Sequence, residues 1–165
     1  MKLLMLIILL VHVAATLPTD GNNLIEQTCR RTPFYDVCIS SLKSKPRSSG
    51  ADVTGLALTM VDVLKTKATE TLNHIKALLH GSPKLKRSLR SCADSYKAII
   101  EGDVPEAIEA LKKGNPKFAE QGANDAADEA TSCEGRFSGR SPLTDMNKAV
   151  HDVAAVAAAI VRNLL

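Results

Sequence analysis

The chain reads as an all-α protein, an up-and-down four-helix bundle preceded by an N-terminal α-helical hairpin and held by two disulfides. Three observations predict this class. Apolar residues recur every three or four positions through most of the 165 residues, and no stretch alternates as a strand would. Helix-starting and helix-stopping residues cut that pattern into successive segments. Four cysteines, Cys29, Cys38, Cys92 and Cys133, form an even set without a CxxC spacing, which favours disulfides over zinc.

The elements follow in order. MKLLMLIILLVHVAA, residues 1–15, has one lysine, an apolar run from Leu3 to Leu10 and small residues near Ala15. It reads as a secretory signal cleaved after Ala15, and its apolar run is too short to span a bilayer. Residues 16–165 then make one domain. Removing Lys2 with the signal lowers the formal charge from +3 to +2, a weak balance that recommends neither nucleic acid nor membrane as partner. Residues 22–45 read as two short helices folded into a hairpin. Four cysteines allow three connectivities; Cys29–Cys38 with Cys92–Cys133 is preferred, because the first pair flanks Thr32-Pro33 and would close the hairpin. On the loop-entropy model the two closures are worth roughly 2.5–3 and about 4 kcal/mol.

KPRSSG, Lys45 to Gly50, joins the hairpin to a bundle over 51–165. Val53, Leu56, Met60, Leu64, Ala68, Leu72, Ile75 and Leu79 line one face of a helix from an Asp52 cap to His80. Leu85, Leu89, Cys92, Tyr96 and Ile99 line a second, which is expected to end at Gly102. Asp103, with Pro105 in the first turn, opens a third that Gly114-Asn115-Pro116 stops. A fourth, Ala-rich and acidic, is expected over Glu120–Glu134. The last carries Leu143, Met146, Val150, Val153, Ala157, Ile160 and Leu164, and its centre VAAVAAAIV is apolar nearly all round, so it belongs deep in the assembly.

Catalytic equipment is scarce. His74 and His80 fall on different faces of one helix, and His151 has no local Ser/His/Asp or Cys/His signature around it. Asp125, Asp128 and Glu129 read as a solvated helix face before a general acid/base pair. Lys84, Lys86, Arg87 and Arg90 read first as an exposed flank, second as a contact for an acidic partner. HExxH, EF-hand and phosphate-cradling patterns are absent. No enzyme activity, cofactor or metal is expected. One segment stands out. KKGNPKFAEQG, Lys112 to Gly122, places a lysine and one of only three phenylalanines directly after strong helix breakers. Either Phe118 folds back into the core, or the turn presents Lys117 and Phe118 to another molecule.

GLALTMVD (Gly55–Asp62), SCADSYKAI (Ser91–Ile99), PEAIEALKKGNPKFAEQG (Pro105–Gly122), AIVRNLL (Ala159–Leu165) and the cysteine layout together resemble the plant invertase inhibitors, the cell-wall or vacuolar inhibitors of β-fructosidase. The resemblance covers essentially the whole mature chain. It implies a helical hairpin followed by a four-helix bundle, with one disulfide in each. It also implies an inhibitor of plant acid invertase, a glycoside hydrolase of cell wall or vacuole, in which Pro116, Lys117 and Phe118 enter the substrate cleft of the target. The implied complex is 1:1 with a monomeric inhibitor. A sister group, the pectin methylesterase inhibitors, shares fold and cysteines and supplies the alternative target, reached through the bundle surface. Fold alone does not choose between them.

Overall fold

The computed structural model describes residues 21–165. The expected signal at 1–15 lies outside the described residues. Helices α1 (Gly21–Cys29) and α2 (Tyr35–Lys43) form the hairpin, and α3 (Val53–Gly81), α4 (Lys86–Ala98), α5 (Val104–Lys112), α6 (Pro116–Gly135) and α7 (Thr144–Arg162) form the bundle. No strand occurs among the described residues.

The hairpin closes because the chain turns tightly after α1. The Arg31 and Thr32 amides donate to Thr28 and Cys29 carbonyls, and the Thr32 hydroxyl donates to the Cys29 carbonyl at 2.8 Å. Cys29 is bonded to Cys38 across this turn, while Cys92 on α4 is bonded to Cys133 on α6. The hairpin shares the main core through Ile25, Cys29, Cys38 and Leu42. It also meets α7, where the Phe34 ring stands edge-on to His151 at 6.1 Å and Lys148 sits 5.3 Å over its face.

The longest helix begins where its cap predicts: the Asp52 carboxylate accepts the Gly55 amide at 2.8 Å. Leu56, Met60, Leu64, Ala68, Leu72 and Ile75 are buried along one face. On α7, Val153, Ala154, Val156, Ala157, Ala158 and Ile160 are all buried, so the central position read from VAAVAAAIV is observed. Small residues on α6, Ala119, Ala123, Ala126 and Ala130, are buried on the facing side; short side chains at a helix contact permit close axes.

Two boundaries differ from expectation. Gly102 and Val104-Pro105 do not separate two helices. Ile99–Asp103 forms a π-turn that carries α4 into α5, with helical dihedrals at Ala98, Ile99, Asp103 and Val104. A π-turn holds one residue more per hydrogen-bonded loop than the α-helix, so the chain absorbs Pro105, which has no amide to donate, without breaking. Four helical rods therefore make the bundle: α3, the α4–α5 rod, α6 and α7. The second difference is at α6, expected from Glu120 and observed from Pro116. Proline at the first helical position lacks only an amide that has no partner there, so the residues taken for a loop are the first turn of a helix.

Candidate functional site

The turn between α5 and α6 is rigidly made. Gly114 has φ +71°, the left-handed conformation that suits glycine. The Gly114 amide donates to the Leu111 carbonyl at 3.2 Å and the Asn115 amide to the Ala110 carbonyl at 2.8 Å. These paired bonds are the Schellman closure, which satisfies the last carbonyls of α5. The Asn115 carbonyl then accepts the Phe118 amide at 3.2 Å and starts α6 with Pro116, Lys117 and Phe118 in its first turn.

Phe118 does not fold into the core; it is 56% exposed, and among the described residues only Leu165 is a more exposed large apolar side chain. Lys117 is exposed as well and takes part in none of the ion pairs among the described residues. Its position is unfavourable for folding, since a cation at a helix N-terminus opposes the macrodipole and the first turn of α6 has no acid to balance it. Beneath the exposed pair the turn is anchored. Ala119 is fully buried, and Glu120 accepts a hydrogen bond from Arg162 of α7 at 2.7 Å. A groove of about 210 Å³ lined by Thr54, Leu111, Gly114, Pro116 and Leu164 runs alongside, which puts the start of α3 and the end of α7 at this pole of the bundle.

A second anchor lies a turn along α6. A Cβ on Gly122 would meet the Asp103 carbonyl at 2.8 Å, so only glycine lets α6 lie against the π-turn. The same turn gathers carboxylates. Burial first, then the charges of Asp125, Glu129 and Glu106, push Asp103 up to about 6.

The remaining candidates disperse. His74 and His80 are exposed on α3. His151 lies 3.0 Å from Asp152, which also pairs with Lys148, beneath the hairpin. Among the described residues no group of His, Cys, Asp and Glu is placed to hold a metal. Asp125, Asp128 and Glu129 stay on the outer part of α6, and what sequence did not show is that Asp103 joins them from the neighbouring rod. Nor did it show the relay at the far end, which runs from the core to the surface: buried Tyr96 donates to Asn147 at 2.7 Å, and Asn147 and the exposed Thr144 both donate to Glu134 at 2.6 Å. Residues 51 positions apart in sequence meet there, beyond the reach of helical periodicity.

A family model described as plant invertase/pectin methylesterase inhibitor matches residues 23–160. The chain belongs to this invertase/pectin methylesterase inhibitor family. Among its relatives is the cell wall / vacuolar inhibitor of fructosidase 1 of Arabidopsis thaliana, 49% identical over 138 residues, which are 84% of this chain and 67% of the relative. The cell wall / vacuolar inhibitor of fructosidase 2 of the same plant is 42% identical over 98 residues, or 56% of this chain and 54% of the relative. In three dimensions the chain is similar to the crystal structure of a mutant form of a pectin methylesterase inhibitor from Arabidopsis. The TM-score is 0.73 at 27% identity, over 84% of this chain and 95% of that one. Members of the invertase/pectin methylesterase inhibitor family are inhibitors, not enzymes.

Proposed function

We propose that this protein inhibits plant acid invertase, β-fructofuranosidase, by inserting the Pro116-Lys117-Phe118 turn into the cleft where the enzyme splits sucrose. The observation that carries the reading is the turn itself: an apolar ring and an unpaired cation held outward on a backbone fixed by a Schellman closure and by Arg162. The two fructosidase inhibitors among its relatives support the choice of target. Glycoside hydrolases of this kind hold a pair of carboxyl groups around the bond they cleave. A lysine ammonium within about 4 Å of such a carboxylate is attracted by up to roughly 4 kcal/mol at an effective dielectric of about 20, before desolvation is subtracted. Burying the Phe118 ring adds roughly 1.5–3 kcal/mol. Pre-formed backbone at Gly114–Pro116 limits the ordering lost on binding. The complex is one inhibitor to one enzyme, after export through the secretory pathway to cell wall or vacuole.

A second reading rests on a specific observation, the structural likeness to a pectin methylesterase inhibitor: the bundle surface, not the turn, would then contact an esterase. Titrating the protein against purified acid invertase and pectin methylesterase at equal concentration separates the two. Invertase inhibition abolished by Lys117→Ala supports the turn. Esterase inhibition alone, unaffected by that substitution, supports the bundle surface.

A further inference from the structure

The end of the bundle opposite the turn carries charge that the fold does not use. The C-terminus of α3 leads through Pro83–Leu85 directly into α4, and Lys84, Lys86, Arg87 and Arg90 are exposed along this start. The Ser88 hydroxyl donates to the Arg136 carbonyl at 2.8 Å, and the Cys92–Cys133 bond lies one turn further on. Arg136 and the exposed Arg140 are thereby brought to the same end. Against these six cations stand Glu134, Asp145 and, four residues beyond Arg90, Asp94, so positive charge predominates at this end.

Placement sets this surface apart from a solvated flank. Ion pairing along the helices is partial: Lys67, Lys97 and Lys113 pair with Glu70, Asp94 and Glu109, while Lys65, Lys76 and Lys112 join none of the ion pairs among the described residues. None of the six cations here joins an ion pair among the described residues. Moreover, the first turn of α4 has no acidic residue, so its cations oppose the helix macrodipole. Charges placed against the fold's own preference point to a partner that supplies the missing anions.

We infer that this basic end binds a carboxylated polysaccharide, an acidic polyuronate chain, while the opposite end remains free for the target enzyme. Guanidinium groups match carboxylates in a two-point geometry. Side chains three and four apart on α4 present cations side by side to a polymer that repeats one carboxylate per sugar. Two disulfides place the folded chain in an oxidising compartment, where extended polyanions are glycans more than nucleic acids. The one aromatic beside the six cations, Phe137, is buried and not offered for stacking on bases, and no exposed large apolar residue accompanies them to enter a bilayer.

The test is retention of the protein on immobilised polygalacturonate across a salt series. With about 0.7 counterions released per contact, engagement of all six cations weakens binding by roughly 300-fold between about 50 and 200 mM salt. Lys86→Gln/Arg87→Gln/Arg90→Gln should lower the salt slope by about 2 and weaken binding at least about tenfold. Lys45→Gln/Arg47→Gln/Lys65→Gln, which removes the same charge from exposed positions elsewhere, should change little. Removing cations from a helix N-terminus leaves folding intact or improved, and a thermal melt of each variant checks this. The inference is overturned if the two triple variants lose binding equally or if the α4 variant binds like wild type. It is equally overturned if fully methyl-esterified polymer binds as well, or if DNA or phosphatidylserine vesicles bind more tightly at equal salt. Invertase inhibition, read in the same variants, is independent of every one of these outcomes.

Discussion

Lys117 and Phe118 occupy the second and third positions of α6, and their truncation distinguishes a presented turn from a packed one. Lys117→Ala and Phe118→Ala are each expected to weaken invertase inhibition by about 30-fold or more, the range of interface hot spots. Neither should shift stability by more than about 0.5–1 kcal/mol, since both side chains stand in solvent. Inhibition constants set beside thermal melts check this; a large loss of stability in Phe118→Ala with normal inhibition would refute it. Pro116→Ala should act more weakly, through the unfolded chain. One step back from the contact, Arg162→Ala frees Glu120 and the first turn of α6. Such pairs contribute about 0–1 kcal/mol to folding, so the expected signature is faster release from invertase with a nearly unchanged melting temperature. The tripeptide was legible in sequence because its residues are contiguous. Arg162 was not, because its role depends on α7 ending beside the start of α6.

At the scale of elements, the contact of Gly122 with the π-turn fixes how α6 lies on the α4–α5 rod. Gly122→Ala forces a methyl toward the Asp103 carbonyl, a backbone atom that cannot swing aside. Overpacking of this kind costs about 1–3 kcal/mol, which urea unfolding should show as a lower midpoint with unchanged slope. Most elements were readable from periodicity and caps: α3 from its Asp52 cap, α7 from its apolar centre. The misreadings share a cause. Glycine and proline were taken as a break at 102–105, and the observed break at 114–116 was taken to last until Glu120. A π-turn absorbed the first pair, and the second proline sits where a helix tolerates it. Local chemistry says where a helix is free to stop; packing against Gly122 and Ala119 decides whether it does.

The whole molecule should prefer mild acid. Asp103 rises from the ordinary 3.8 to about 6, chiefly through burial. Between those values the folded chain holds a proton that the unfolded chain has released, so stability is full below about 4 and declines as pH climbs towards 6. Glu134 acts in the opposite sense. Burial raises it, but hydrogen bonds from Thr144, Asn147 and Ser141 outweigh burial and hold it below its usual 4.5. Its contribution is present above that value and disappears as pH falls through the folded one. Melting temperature measured from about pH 3 to 7 should therefore peak near 4–5, and Asp103→Asn should flatten the descent towards neutrality. Size adds a further consequence. With 29 residues in α3 and a rise of 1.5 Å each, the bundle is about 43 Å long. The Debye length at physiological ionic strength is only about 8 Å. The potential around Lys117 has decayed through several screening lengths before it reaches Arg87, so the two poles are electrically insulated from one another. Reversing every charge at one pole should leave the ionic-strength response of binding at the other unaltered, as though two separate proteins shared a rod.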